Sequence, residues 1–214
     1  FTSHFLPQVL DFIETDKELL LVTQFKKGIP VNDYWKQLKR KERVNFLYEF
    51  IIEFEKTYAT LRKMSIVHCD IKPSNILIEE LNGKLSVSLI DFGLAIRRNE
   101  SLERNLVFPL GFAAPELLLN ELKLIDERSD IFAMGILIWR LYTNELPLTH
   151  PNPSIFTNLQ LTHPLPEHSS IPKGVFKRLA KMCEKHQFKL PPNKLGTSER
   201  KELLREGMNR RPSH

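Results

Sequence analysis

The chain has 214 residues, 42% of them hydrophobic and 27% charged, with a net charge of +5. That is the composition of a soluble globular chain with one sizeable core, or one and a half small domains. Two isolated cysteines, Cys69 and Cys183, exclude a disulfide framework and point to a reducing, cytoplasmic compartment, and the longest uncharged apolar run, "IFAMGILIW" (131–139), is far short of the roughly 20 residues of a membrane span.

The chain opens on Phe1 inside an apolar segment, and the expectation is that it is a piece of a longer protein. Residues 7–25 read as two strands joined by a polar turn at "ETDKE", the second apolar enough to be buried on both faces. After Gly28 and Pro30 the pattern turns helical, with Asn32 or Asp33 as N-cap. The basic cluster "KQLKRKER" (36–43), like "NRRP" (209–212), is shorter than a block of five like charges and reads as a solvated face rather than a nucleic-acid surface. In residues 43–63, Val44, Leu47, Phe50, Ile51, Phe54, Tyr58 and Leu61 recur at steps of three and four, which predicts a long helix with that stripe toward a core. Short strands are predicted on either side of Asn82-Gly83, a two-residue hairpin signal. Residues 96–112 show no period and read as a loop. Residues 130–142 are apolar nearly all round, the mark of a helix inside a domain. The Pro-rich stretch 147–173 is irregular with one short helix, residues 175–186 are helical, residues 187–198 form a polar insertion, and "SERKELLREG" is a last helix. Strands first and helices after predict an α+β fold, mostly helical with a strand-containing edge.

The chemistry concentrates in "IVHCDIKPSNILIEE" (66–80) and "LIDFGLA" (89–95). Asp70, Asn75 and Asp91 fall on two loops that flank one hairpin, and they can converge on a magnesium–phosphate site. Magnesium takes oxygen ligands and only one or two carboxylates, so Asn75 and Asp91 suit it as metal ligands. Asp70 can accept a proton from an attacking hydroxyl, and Lys72 can set its ammonium beside a phosphoryl group in transfer. Gly93 lets the backbone turn after Asp91-Phe92. Taken alone, His68 reads as a core histidine, Asp70 as a turn carboxylate, Lys72 as a surface cation and Asp130 as a helix N-cap.

The ordered set "HCDIKPSN", "DFG" and "APE" resembles the eukaryotic-type protein kinase family, of serine/threonine type. The resemblance implies a kinase-like fold: residues 1–25 as the last strands of a small lobe, 26–30 as the hinge, and 31–214 as a large lobe with an activation segment at 91–116. It assigns Asp70 as catalytic base, Lys72 as phosphate clamp, and Asn75 and Asp91 as magnesium ligands. It places Thr23 at the gatekeeper position, Gln24 and Lys26 as backbone contacts to the adenine of ATP, and Leu77 beneath the ring. "SDIFAMG" (129–135) resembles the family's buried helix, whose Asp130 holds the catalytic loop, and Arg211 of "NRRPS" is expected to pair with Glu116 inside the core. His68 and Phe92 fall in a stack of apolar side chains.

Two positions depart from the family pattern. Cys69 stands where an arginine usually meets a phosphate on the activation segment, and Pro109 where a threonine usually bonds the catalytic Asp and Lys. Ser101 is the only hydroxyl residue in 94–112. The family's Gly-rich phosphate loop and its strand lysine are not found in the sequence. The expected function is transfer of the ATP γ-phosphate to a protein Ser/Thr hydroxyl, not controlled by activation-segment phosphorylation. The alternatives are a catalytically impaired scaffold that binds protein partners, and a small-molecule phosphotransferase.

Overall fold

The computed structural model describes residues 6–98, 106–186, 188 and 192–213. The chain divides into two compact units. One takes the residues up to Met64 together with Pro73–Asp91, and the other takes Ser65–Lys72 together with the residues from Phe92 onward.

The first unit contains strands β1 (Val9–Glu14) and β2 (Leu19–Thr23), which pair antiparallel across the polar turn, with Phe12 opposite Leu21. The expectation that β2 is buried on both faces is not met. Leu20, Leu21 and Val22 are exposed, as are Val9, Leu10 and Phe12 of β1. A continuous apolar run marks burial only where another layer packs on it, and these two strands form a two-stranded sheet. Strand β3 (Ile29–Pro30) leads into helix α1 (Val31–Gln37), and Pro30 itself is the residue before the helix. Asn32 and Asp33 therefore lie in the first turn instead of capping it, where Asn32 donates to Asp33 and Asp33 accepts from Lys36. Proline's fixed φ, −54° here, and the burial of Val31 start the helix without a side-chain cap.

Helix α2 (Arg43–Lys63) has the predicted bounds but not all of the predicted face. Phe46, Leu47, Phe50, Thr57, Tyr58 and Leu61 are buried, whereas Val44 and Ile51 are exposed. The buried face is rotated from the predicted one, toward Phe46 and Thr57, and the aromatic row at steps of four runs along it. The rings of Phe46, Phe50, Phe54 and Tyr58 follow one another at centroid distances of 5.7, 6.0 and 5.7 Å. Strands β5 (Ile76–Leu81) and β6 (Lys84–Leu89) form the predicted hairpin, with Asn82 at φ +52° and Gly83 at φ +71°. Both turn residues occupy the left-handed region that a two-residue hairpin turn demands. The Thr57 hydroxyl donates to the Val87 carbonyl at 3.1 Å and ties α2 to β6.

In the second unit, strand β4 (Ile66–Val67) pairs with β7 (Ile96–Arg97). The start of the expected loop 96–112 is therefore a strand, a two-residue pairing that no local periodicity announces. Ser101 lies outside the described residues. A short helix α3 (Pro115–Leu118) follows, then α4 (Glu127–Thr143), which begins three residues before the expected start because Asp126 caps it by accepting the Arg128 N–H at 2.9 Å. Asp130 is not the N-cap. Helix α4 is buried on nearly every side, as its composition predicts, and Gly135 lets α6 (Lys173–Met182) approach it: a Cβ there would lie 2.6 Å from Cys183 Sγ. The expected short helix of the Pro-rich stretch is α5 (Pro153–Thr162), capped by Asn152. Helix α6 stops at Met182 rather than at 186, and α7 (Thr197–Asn209) packs Leu204 and Met208 against Leu124 and Phe188. Within the expected insertion 187–198, residues 187 and 189–191 lie outside the described residues.

Candidate active site

The site residues of the second unit lie on the segment that leaves β4. Asp130, in the first turn of α4, turns its carboxylate to this segment and accepts two backbone N–H groups, from His68 at 2.7 Å and from Cys69 at 2.8 Å. Two charge-assisted bonds from one buried carboxylate fix the main chain where Cys69 adopts φ +63°. His68 is fully buried, accepts the Asp70 N–H on Nδ1 at 3.2 Å, and meets the Phe92 ring edge-on at 4.7 Å between centroids. Its role is to shape the loop, in line with the expected stack. Asp70 follows, buried, and the Lys72 ammonium donates to its Oδ2 at 2.6 Å. A carboxylate on a fixed backbone with an ammonium in contact can hold a proton at a defined point and stabilise negative charge beside it.

Further support comes from a buried ion pair. Arg211 grips Glu116 with both arms of its guanidinium, at 2.6 and 3.1 Å, and donates through Nε to the Glu184 carbonyl. The two side chains are 1% and 0% exposed, and Ser129 donates to the same carboxylate at 2.7 Å. The extra bonds from Ser129 to the carboxylate and from Arg211 to the Glu184 carbonyl offset part of the cost of burying the pair. Cys69 is buried with its thiol toward the Val67 carbonyl. Burial, reinforced by the carboxylates of Asp130 and Glu116, pushes the thiol well above its ordinary pKa, so it is neutral and not nucleophilic.

The metal-ligand candidates lie in the first unit, at the open end of the β5–β6 hairpin. Asn75 closes the 3-10 turn Pro73–Asn75 directly before β5, and Asp91 stands two residues after β6. Ile76 pairs with Leu89, and the Asn75 carbonyl accepts the Ile90 N–H at 3.0 Å, so Ile90 stands opposite Asn75 and Asp91 follows one residue beyond the pairing. Asp91 itself takes the left-handed turn, at φ +64°. The donor set fits magnesium: one amide oxygen and one carboxylate are hard oxygen ligands, and they leave the rest of an octahedral shell to phosphates and water. The same unit holds the expected nucleotide contacts. Thr23 ends β2, and the Gln24 N–H is engaged by the Gln8 carbonyl, so of its backbone groups Gln24 could offer a ligand only the carbonyl. Lys26 is half-buried, and burial lowers its ammonium pKa. Pro30 pairs with Leu77, and Gly28, at φ +123°, lies so close to β5 that a Cβ would be 2.8 Å from the Ile78 carbonyl oxygen and 3.3 Å from Leu77 Cβ.

The sequence model of the protein kinase domain matches residues 2–214. The chain belongs to the protein kinase family. Among curated relatives it is 29% identical over 171 residues to the serine/threonine-protein kinase STY46 of Arabidopsis thaliana, an alignment covering 78% of this chain and 28% of that protein. It is 32% identical over 149 residues to the serine/threonine-protein kinase ppk6 of Schizosaccharomyces pombe, covering 65% and 18%, and 38% identical over 94 residues to serine/threonine-protein kinase A of Synechocystis, covering 42% and 18%. The chain thus spans less than a third of the length of these relatives. Protein kinases as a family work with ATP and magnesium.

For this kinase domain the two pairs separate cleanly: Asp70 with Lys72 in the second unit, and Asn75 with Asp91 in the first, where Thr23, Gln24, Lys26 and Leu77 also lie. Sequence reasoning did not identify three supporting groups: Ser129, which donates to Glu116; Glu121, which is buried and held by Arg200 at 2.6 Å; and Asn120, whose side chain bonds Leu106. Ser129 was within reach, since it precedes Asp130 in a motif already singled out. The other two partners are 14 and 79 residues away, with no local pattern to mark them. No helix among the described residues is long and apolar enough to cross a membrane.

Proposed function

We propose that this chain is the catalytic domain of a protein serine/threonine kinase, transferring the γ-phosphate of ATP to a serine or threonine hydroxyl of a protein. The observation that carries the proposal is the Asp70–Lys72 pair, a buried carboxylate with an ammonium at 2.6 Å on a loop held by Asp130. Asp70 takes the proton of the attacking hydroxyl as the new O–P bond forms and the bond to ADP breaks. Lys72 keeps positive charge beside the phosphoryl group as negative charge builds on it. Magnesium, when bound, neutralises the phosphate charge, and Asn75 and Asp91 would hold it. The Gln24 carbonyl and the Lys26 backbone meet adenine above Leu77, with Thr23 as gatekeeper. The lobe assignment at 1–25, 26–30 and 31–214 belongs to the same proposal, as does a cytoplasmic location, which imaging of a tagged protein tests.

The second element of the proposal is control without a phosphate on residues 91–116. Its support is Cys69: a buried, neutral thiol offers no cation to a phosphate. The test is magnesium-dependent transfer of labelled phosphate to serine- and threonine-containing peptides. Asp70→Asn is expected to lower kcat by about 10²–10⁴-fold, and phosphatase treatment is expected to leave the wild-type rate unchanged. Transfer that survives Asp70→Asn and Asp91→Ala together sinks the catalytic assignment. Transfer to small molecules alone, or partner binding without transfer, would replace it.

A further inference from the structure

Residues 106–112 precede the Ala114-Pro115-Glu116 corner in the second unit and include Pro109, the substrate-binding end by resemblance. Asn120 holds the first of them by both ends. Its Oδ1 accepts the Leu106 N–H at 3.1 Å, and its Nδ2 donates to the Leu106 carbonyl at 2.8 Å. A facing residue in an antiparallel ladder exchanges the same two bonds. Here one carboxamide stands in for a strand. The consequence is visible in the side chains: Leu106 and Phe108 are buried, and Val107 between them is 89% exposed, the alternation of an extended strand.

The residue type follows from the backbone. Asn120 ends the α3 turn at φ +52°, with its N–H on the Leu117 carbonyl. Asparagine tolerates that conformation better than other residues with a side chain, and its short amide has both a donor and an acceptor. Its neighbour supplies the anchor. Glu121 is buried, donates its N–H to the Glu116 carbonyl, and is gripped by Arg200 at 2.6 Å and Lys201 at 3.5 Å. Glu116 is in turn locked to Arg211. The carboxamide therefore projects from a fixed base.

We propose that Asn120 is the positioning residue that sets residues 106–108 for the protein substrate without a phosphate, so that this part of the segment is held constitutively. This rests on the kinase reading above and adds the group that does the holding. Asn120→Gly keeps the left-handed backbone at no steric cost and removes both bonds. Asn120→Asp keeps the acceptor for the Leu106 N–H and loses the donor.

The experiment is amide hydrogen exchange at Leu106, paired with steady-state kinetics on the intact protein. Exchange at Leu106 is expected to rise about tenfold or more in Asn120→Gly, as for the loss of one or two ordinary hydrogen bonds, and less in Asn120→Asp. Exchange in α4 is expected to stay as in wild type. KM for the peptide should rise while KM for ATP holds. Unchanged exchange at Leu106 in Asn120→Gly overturns the proposal, as does a rise spread equally over α4, or a raised exchange with unaltered peptide KM. A wild-type protein that transfers no phosphate removes the kinase reading instead, and the exchange comparison still decides whether Asn120 holds Leu106.

Discussion

The two units bury different chemistry. Among the described residues, the buried polar side chains of the first unit are Thr57, Asn75 and Ser88, all neutral. In the second unit the carboxylates of Asp70, Glu116, Glu121, Asp126 and Asp130 are buried, with Lys185 and Arg211. The first unit carries its candidate ligands on a hairpin: Asn75 directly precedes β5, and Asp91 lies two residues past the end of β6. The second places its candidate base by remote buried charge: the N–H groups of His68 and Cys69 lie past the end of the β4–β7 pairing and are satisfied by the Asp130 carboxylate. Hairpin pairing buries no charge and is set locally. Charge anchoring reaches across 60 residues of sequence, but each anchor must be fully partnered.

The sharpest way to break that contrast is Asp130→Ala. It leaves the His68 and Cys69 N–H groups buried without their acceptor, at about 1–3 kcal/mol each. The expected outcome is a loss of stability on the order of 3 kcal/mol in urea titration, and a fall in phosphotransfer of about 100-fold as the loop shifts. Activity within a few-fold of wild type would mean that the loop is held by something other than buried charge.

Lys185 tests the cost side of the same strategy. It is buried against the Phe132 ring, with its ammonium donating to the Gln160 carbonyl. Burial holds its pKa down at about 8 against an ordinary 10.5. Between those values the unfolded chain carries the proton and the folded chain does not, so wild-type stability gains from this group as pH rises from about 8 toward 10.5. Lys185→Met is expected to exceed wild type at pH 7 by on the order of 2 kcal/mol. The gap should close as pH climbs through that window, read by chemical denaturation at several pH values. A gap independent of pH would exclude burial of the charge as its source.

The smallest effect is expected in the first unit. Gly83→Ala meets no atom within 4 Å, so only the left-handed φ of +71° is strained. The cost should be about 1 kcal/mol, with phosphotransfer unchanged because the turn lies at the far end of the hairpin from Asn75 and Asp91 and the β5–β6 pairing is kept. A loss of activity out of proportion to the lost stability would show that the turn and the metal ligands are coupled through the hairpin.

The candidate site was largely legible because its chemistry is contiguous. Asp70, Lys72 and Asn75 lie within six residues, where their chemistry is compatible with base, clamp and ligand, and the family resemblance is what assigned those roles. The Glu116–Arg211 pair, 95 residues apart, was reached only through the family resemblance. The grip of Asn120 on Leu106 was not legible at all, since an asparagine after a short helix reads as an ordinary turn residue. The same limit appears in α2, where the periodicity gave the bounds of the helix and misassigned Val44 and Ile51 to the core.

By itself the sequence determined the hairpin at Asn82-Gly83, the length of α2 and the burial of α4. Each of these follows from interactions within a few residues, through turn geometry, periodicity or side-chain chemistry. Only the tertiary structure decided which face of α2 packs, that β4 finds β7, and which side chain holds Leu106. Those outcomes depend on buried polar groups and apolar faces finding partners from distant parts of the chain, and no local pattern records the partner.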